Sequence, residues 1–210
     1  KGAARWMKGM TAHYLLQRTY KVQPGDTILV HAAAGGMGLI LCQWAKSLGA
    51  KIVGTVSTEK KAEVAYDAGC HYPIVRSKES FVDKVREISD GEGAAVVYEA
   101  IGKDTLQDSL DSLRPMGVCA AYGHVSGPPD PVDIIQDLGR RGSLFITRPA
   151  IMHYVAKRED LEWTARDLFK AIGDGVLDAN INYEYALKDA VKAHEAIESG
   201  STIGATVLVP

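Results

Sequence analysis

The sequence predicts a doubly wound α/β fold, in which a parallel sheet of six strands is covered by helices on both faces. Three observations carry this. Thr27 to Cys42 runs from a β-branched, apolar stretch (Ile28 to Val30) through small residues into an apolar-periodic segment that opens after Gly38. That order is strand, tight turn, helix. Short apolar runs then alternate with helical patterns as far as residue 147, the rhythm of parallel strands joined by crossover helices. Finally, runs such as Ala94 to Tyr98 are apolar at successive positions, which suits strands buried on both faces.

Taken in order, Ala4, Met7, Thr11, Tyr14 and Leu15 stand at helical spacing, so a helix is expected from Ala3 to Arg18. A chain that opens inside a helix, without an initiator methionine, is expected to be a fragment of a longer one. Pro24 and Gly25 mark a turn before strand 27–32. Helix 36–48 ends at Gly49, a C-terminal glycine cap. Strand Lys51–Val56, a helix from Thr58 to Ala68, strand Tyr72–Val75 and a helix from Lys78 to Ser89 follow. Strand Ala94–Tyr98, helix 104–113, strand Gly117–Tyr122, a Gly/Pro-rich loop, helix 132–138 and strand Ser143–Thr147 complete the alternation. Six strands in this order fit the two mononucleotide-binding halves of a Rossmann domain, here residues 1–148 with the leading helix. Residues 149–210 read differently: mostly helical over 150–175, extended over 181–187, helical from Lys188 to Glu198, and a last strand over 205–209.

Composition narrows the partners. Of 210 residues, 46% are apolar and 24% charged, and the formal charge of −2 gives no argument for nucleic acid or anionic membrane as a general partner. No apolar run reaches the length of a membrane span, and no secretory signal opens the sequence. Cys42, Cys70 and Cys119 are widely spaced, without C-x-x-C or a histidine at ligand spacing, so no metal site is expected. As core-filling thiols they fit a reducing compartment, most simply the cytoplasm.

In such a sheet the ligand lies beyond the carboxyl ends of the strands. After the first strand, the frame Ala33, Ala34, Gly35, Gly36, Met37, Gly38 keeps the second and third glycines of G-x-G-x-x-G. Gly35 allows a pyrophosphate to approach the helix N-terminus, and Gly38 allows close helix–strand packing. The second strand ends in Gly54, Thr55, Val56, Ser57 with no acid to bond a free ribose hydroxyl. Ser57, Lys61 and Arg76 supply a hydrogen bond and two cations instead, which points to the 2′-phosphate of NADP. At the fourth strand Ala100, Ile101 and Gly102 offer small and apolar walls. At the fifth, Tyr122, Gly123 and His124 offer an aromatic ring, a close-approach glycine and a donor. No side chain is singled out for proton transfer. G-x-S-x-G and Walker A are absent, and Tyr154 with Lys157 is one residue short of Tyr-x-x-x-Lys.

With these residues in hand, the sequence resembles the quinone oxidoreductase (zeta-crystallin-like) branch of the medium-chain dehydrogenase/reductase superfamily over essentially its whole length. Lys8 to Thr11, Val30 to Gly38, Gly54 to Ser57 with Lys61, Gly142 to Pro149 and Gly204 to Pro210 carry the resemblance. It implies an NADPH-dependent, zinc-independent reductase that passes hydride to quinones or related electrophilic enones. Ala34, Gly35, Gly36 and Met37 would hold the pyrophosphate, and Ser57, Lys61 and Arg76 the 2′-phosphate. Thr11, Ile101, Tyr122 and His124 would lie near the nicotinamide. Some members have Tyr or His in place of Arg76, and Arg in place of Gly200. The resemblance also implies that the C-terminal strands are the remnant of a GroES-like substrate domain, and that edge strand 143–147 forms a homodimer. Two alternatives stay open: a nucleotide-binding structural or RNA-binding protein of zeta-crystallin type, and a 2-enoyl or alkenal reductase.

Overall fold

The computed structural model describes residues 2–178 and 182–210. Strands β1 (Thr27–Val30), β2 (Lys51–Val56), β3 (Tyr72–Val75), β4 (Ala94–Glu99), β5 (Leu113–Ala121) and β6 (Phe145–Thr147) form one sheet in the order β3-β2-β1-β4-β5-β6. Every pairing in it is parallel. This is the Rossmann order, and the direction of winding reverses between β1 and β4. Helices α1 (Gly2–Tyr14), α2 (Gly36–Ser47), α3 (Glu59–Asp67), α4 (Phe81–Ile88) and α5 (Leu106–Asp111) supply the two covers. Alternate residues divide between them. Ile28, Val30, Ile52, Val96 and Tyr98 pack with α1, α2 and α3, whereas Leu29, Val53, Val97 and Cys119 pack with Phe81, Val85, Leu106 and Leu110 of α4 and α5. Cys42, Cys70 and Cys119 are buried free thiols.

Helices α6 (Ile151–Tyr154) and α7 (Arg158–Gly173) follow, and Leu168 of α7 joins the core against α1 and α2. Then β7 (Tyr183–Ala186), α8 (Ala190–Glu198) and β8 (Thr206–Val209) form a separate two-stranded parallel sheet. The expected strand 181–187 begins at Tyr183 within the described part; residues 179–181 lie outside it. No helix among the described residues is long and apolar enough to cross a membrane.

Several boundaries differ from expectation for local reasons. Helix α1 stops at Tyr14, and Leu15–Thr19 widens into a π-type turn closed by the Tyr20 N–H on the Leu15 carbonyl. Helix α4 starts at Phe81, because Ser80 caps it by accepting the Asp83 N–H. The expected helix 104–113 shrinks to Leu106–Asp111, since Glu99 takes the N–H groups of Ile101 and Gly102 and holds that stretch as a turn. Strand β5 begins at Leu113, four residues early. Its register against β4 jumps between Ala94 and Val96, and Met116 adopts φ +60°. The expected helix 132–138 is a wide turn over Ile134–Gly139 capped by Asp133. Gly142 and Ser143, both at positive φ, turn the chain so that β6 starts only at Phe145.

A buried polar knot joins the strand ends. His31, immediately after β1, is fully buried, with Nδ1 2.8 Å from the Thr55 hydroxyl of β2 and Nε2 2.9 Å from the Ser109 hydroxyl of α5. The Ser109 hydroxyl donates to Glu99 Oε2 at 2.5 Å, and His31 Nε2 lies 3.4 Å from the same oxygen. Burial pushes His31 down to about 4, against the pull of the Glu99 carboxylate. Burial alone would raise Glu99, and the Ser109 hydroxyl and the Ile101 and Gly102 N–H groups, all donating to the carboxylate, oppose it. The resting state is therefore neutral imidazole beside carboxylate.

Two outcomes are expected. A Cβ at Gly38 would run into the Ala32 carbonyl and lie 2.6 Å from the Ala33 backbone. Gly38→Ala should therefore cost about 1–3 kcal/mol in urea unfolding, through overpacking at the turn. The second concerns pH. Between 6.5, the ordinary value of histidine, and about 4, the unfolded chain takes up a proton at residue 31 that the folded chain refuses. Stability should thus fall as pH falls through that window, by up to about 1.4 kcal/mol per pH unit from this one group. Urea midpoints at the two ends of the window should converge in His31→Gln relative to the unsubstituted chain.

Candidate functional site

Beyond the carboxyl ends of β1, β2, β4 and β5 lie two adjoining pockets of about 500 and 320 Å³. They share Ala32, Gly35, Lys61, Val125, Gly200 and Thr202, so together they make one elongated cleft across the point where the sheet reverses. Its centre is the turn between β1 and α2. Ala32 takes a left-handed conformation, φ +50°, and its carbonyl accepts the Gly35 N–H at 2.8 Å. Gly35 is the N-cap of α2 and no side chain caps the helix. That leaves the first-turn N–H groups and the positive helix end for an anion.

The surroundings fit a dinucleotide. Lys8 of α1 reaches over the turn: a Cβ placed on Gly36 would sit 2.6 Å from Lys8 Nζ and 2.9 Å from the Gly204 carbonyl. The ammonium is half-buried, and burial together with neighbouring Arg5 lowers its pKa. A pyrophosphate here would meet the helix N-terminus on one side and Lys8 on the other.

At the end of β2, Ser57, Lys61 and Arg76 line the smaller pocket, which has no acid among its lining residues. Lys61 Nζ donates to the Gly200 carbonyl at 2.6 Å and to the Ser57 hydroxyl at 3.2 Å. The Arg76 N–H donates to the Val56 carbonyl at 3.1 Å, which fixes Arg76 beside the strand end. Glu59, the nearest acid in the sequence, turns outward to pair with Lys78. Gly200 follows α8 at φ +67°, a left-handed position that favours glycine.

The remaining candidates divide. Met37, Gly38, Ala100, Tyr122 and Gly123 line the larger pocket, and Ala34 lines the smaller. Burial, and then the Glu99 carboxylate, push the Tyr122 phenol up. Ile101 lines the smaller pocket, with Ser57 and Arg76 rather than beside Tyr122. Gly102 and His124 open instead onto an adjoining recess of about 270 Å³, lined also by Glu99 and sharing Gly123 with the larger pocket. There Arg148 donates to the Ala121 carbonyl at 2.6 Å and lies 3.0 Å from His124 Nδ1. Thr11 donates to the Met7 carbonyl within α1 and lines none of these pockets. Tyr154 stacks on Tyr14 with ring centres 4.2 Å apart and accepts the Thr19 hydroxyl, a packing role.

Two parts of the site were missed in the sequence. One is Lys8. Its signal was the spacing Arg5, Lys8, Ala12, Leu15, which puts a lysine on the stripe of α1 that turns inward. The other is the segment from Gly200 to Gly204. Gly204 pairs with Gly35, and its N–H donates to the Ala34 carbonyl at 3.0 Å, so this segment forms one wall of the cleft. Among the described residues, no group of three or more His, Cys, Asp or Glu is placed to hold a metal ion.

Known proteins share this architecture. A family model described as zinc-binding dehydrogenase matches residues 36–170. The chain is 53% identical over 208 residues to a 2-haloacrylate reductase of Burkholderia sp, covering 99% of this chain and 62% of that protein. It is 46% identical over 212 residues to a quinone oxidoreductase of Salmonella typhimurium, covering 100% of this chain and 64% of that one. The crystal structure of Escherichia coli quinone oxidoreductase complexed with NADPH superposes with a TM-score of 0.95 at 43% identity, over 99% of this chain and 64% of that chain. The chain thus spans less than two thirds of the length of these relatives. It belongs to the zinc-binding dehydrogenase family.

Proposed function

We propose that this chain is the cofactor-binding part of an NADPH-dependent oxidoreductase that delivers hydride to quinones or related electrophilic enones. The observation that carries this is the acid-free pocket holding Ser57, Lys61 and Arg76, continuous with a glycine turn flanked by Lys8. Bound NADPH would supply the hydride, and the chain's own task is to bind, orient and shield it. Lys61, Arg76 and Ser57 anchor the 2′-phosphate. The α2 N-terminus and Lys8 hold the pyrophosphate. Ala100, Tyr122 and Gly123 offer the flat, small-residue wall that a nicotinamide ring needs.

The 2-haloacrylate reductase relative favours a second reading within the same chemistry, reduction of an activated carbon–carbon double bond. Residues 149–210 are read as the connection to a substrate domain, with β7 and β8 its contribution from this chain. A homodimer across β6 is supported by its place at the sheet edge and by Phe145, which is 60% exposed there. The three free, buried thiols support the cytoplasm as its compartment.

These assignments separate in binding experiments. Calorimetric titration should show Lys61→Ala and Arg76→Ala each losing about tenfold or more in NADPH affinity with NADH affinity little changed, because each removes a charge-assisted bond to the 2′-phosphate. Lys8→Met should weaken both cofactors alike, since both carry the pyrophosphate. NADPH and NADH binding equally well to the unsubstituted chain would overturn the cofactor assignment. A panel of quinones and 2-haloacrylates offered to the full-length protein, followed at the NADPH absorbance, decides between the two acceptor classes. Sedimentation should show Phe145→Asp shifting the protein to monomer, through a charge placed on the edge-strand contact.

A further inference from the structure

Glu99 is the last residue of β4, and its carboxylate is fully buried. Four donors satisfy it: the N–H groups of Ile101 at 2.6 Å and Gly102 at 3.0 Å, and the hydroxyls of Thr105 at 3.0 Å and Ser109 at 2.5 Å. Its ionic contact among the described residues is His31, which is neutral. The negative charge is thus balanced by dipoles rather than by a cation. A dipole-solvated charge in a buried site keeps a field that reaches its neighbours.

Those neighbours are the cleft wall. Ala100 follows Glu99 directly, and the Gly123 N–H donates to the Glu99 carbonyl at 3.2 Å. Ala100, Tyr122 and Gly123 all face the larger pocket, and Glu99 raises the Tyr122 phenol. Glu99 itself lines the adjoining recess with Gly102 and His124, and its backbone borders Ala100 and Gly123, which line the place read above as the nicotinamide end.

We propose that the buried Glu99 carboxylate biases this end of the cleft toward the oxidised cofactor, making the bound reduced form a stronger hydride donor than it is in water. The inference rests on the cofactor reading given above. Hydride transfer breaks the C4–H bond of the dihydronicotinamide, both electrons leave with the hydrogen to the acceptor, and the acceptor takes a proton from solvent. The ring is left with one positive charge. A fixed anion behind the wall attracts that cation and has little hold on the neutral ring. Glu99 touches neither partner, so it acts as a positioning and field-setting residue.

The test compares dissociation constants for NADP⁺ and NADPH, by calorimetry or fluorescence, in the unsubstituted chain, Glu99→Gln and Thr105→Val. Glutamine preserves shape, and the knot can reverse its polarity around it: the amide donates to Ser109, Ser109 to His31 Nε2, and His31 Nδ1–H to Thr55. In Glu99→Gln the ratio Kd(NADP⁺)/Kd(NADPH) should rise about tenfold, which raises the two-electron potential of the bound couple by about 30 mV. Thr105→Val removes one bond to the carboxylate and keeps the charge, so both affinities can fall while their ratio holds. A ratio unchanged in Glu99→Gln, or moved equally by Thr105→Val, overturns the proposal. The unsubstituted chain gives an independent reading: added salt should weaken both forms alike, because a buried charge escapes screening. A ratio that drifts with salt assigns the bias to exposed charges and overturns the proposal without any variant. If neither cofactor binds the unsubstituted chain, the cofactor reading fails first and takes this inference with it.

Discussion

The knot between His31, Thr55, Ser109 and Glu99 is the constraint on which the functional end of the sheet depends. It links the exits of β1, β2 and β4 to the first helix beyond β4, all in a space without water access. Buried polar groups tolerate only the geometry that satisfies them all. The carboxylate additionally takes two N–H groups and the Thr105 hydroxyl, so the path of residues 100–105 follows from one side chain. The cost is exposure to acid, because neither histidine nor carboxylate can change its charge without breaking the set.

Around this anchor the cleft is assembled from segments far apart in sequence. The turn before α2 is closed from one side by Lys8 and from the other by Gly204, whose N–H meets the Ala34 carbonyl. Lys61 ties the end of β2 to the cap of α8 through Gly200. The result places three cations along one groove in a chain whose formal charge is −2. Net charge is a statement about the whole surface, whereas affinity for an anion is set within a Debye length of the site.

What was legible in the sequence follows from which forces are local. Strands β1, β2 and β4 could be read because burial on both faces demands unbroken apolar runs, and α2 because its glycines and its cap at Gly49 are backbone requirements written in residue type. The start of α5 could not be read, because the turn before it is held by a side chain on the preceding strand, Glu99, which takes the N–H groups of Ile101 and Gly102. The early start of β5 depends on a bulge at Met116 that no apolar pattern announces. That Ser57, Lys61 and Arg76 come together could be read because the topology names the end of β2 as a ligand-facing strand end. Lys8 was not found, because a lysine on a helix is usually solvated and the turn it serves lies 28 residues further along the chain. His124 and Ile101 show the same limit: the strand end is legible, but the side of the cleft on which each residue emerges is decided by loop geometry.

These pieces combine into a polarity along the groove. Cations stand over the glycine turn and at the end of β2, where a nucleotide's phosphates carry fixed charge. A buried anion stands behind the opposite end, where the reacting ring would change charge during reduction of an acceptor. Lysine and arginine at the cleft surface suit the first task, since binding must be reversible and tolerates screening. A carboxylate sealed in a dipole cage suits the second, because a field that acts on a charge created during reaction works only if it is preorganised and dry. The same physical demand explains why the acid at the end of β4 is buried and fully bonded while the end of β2 has none. A carboxylate beside Ser57 would repel a phosphate, whereas one beneath Ala100 meets no fixed negative charge. The distribution of acids between these two strand ends is therefore a consequence of which half of the proposed cofactor lies over each.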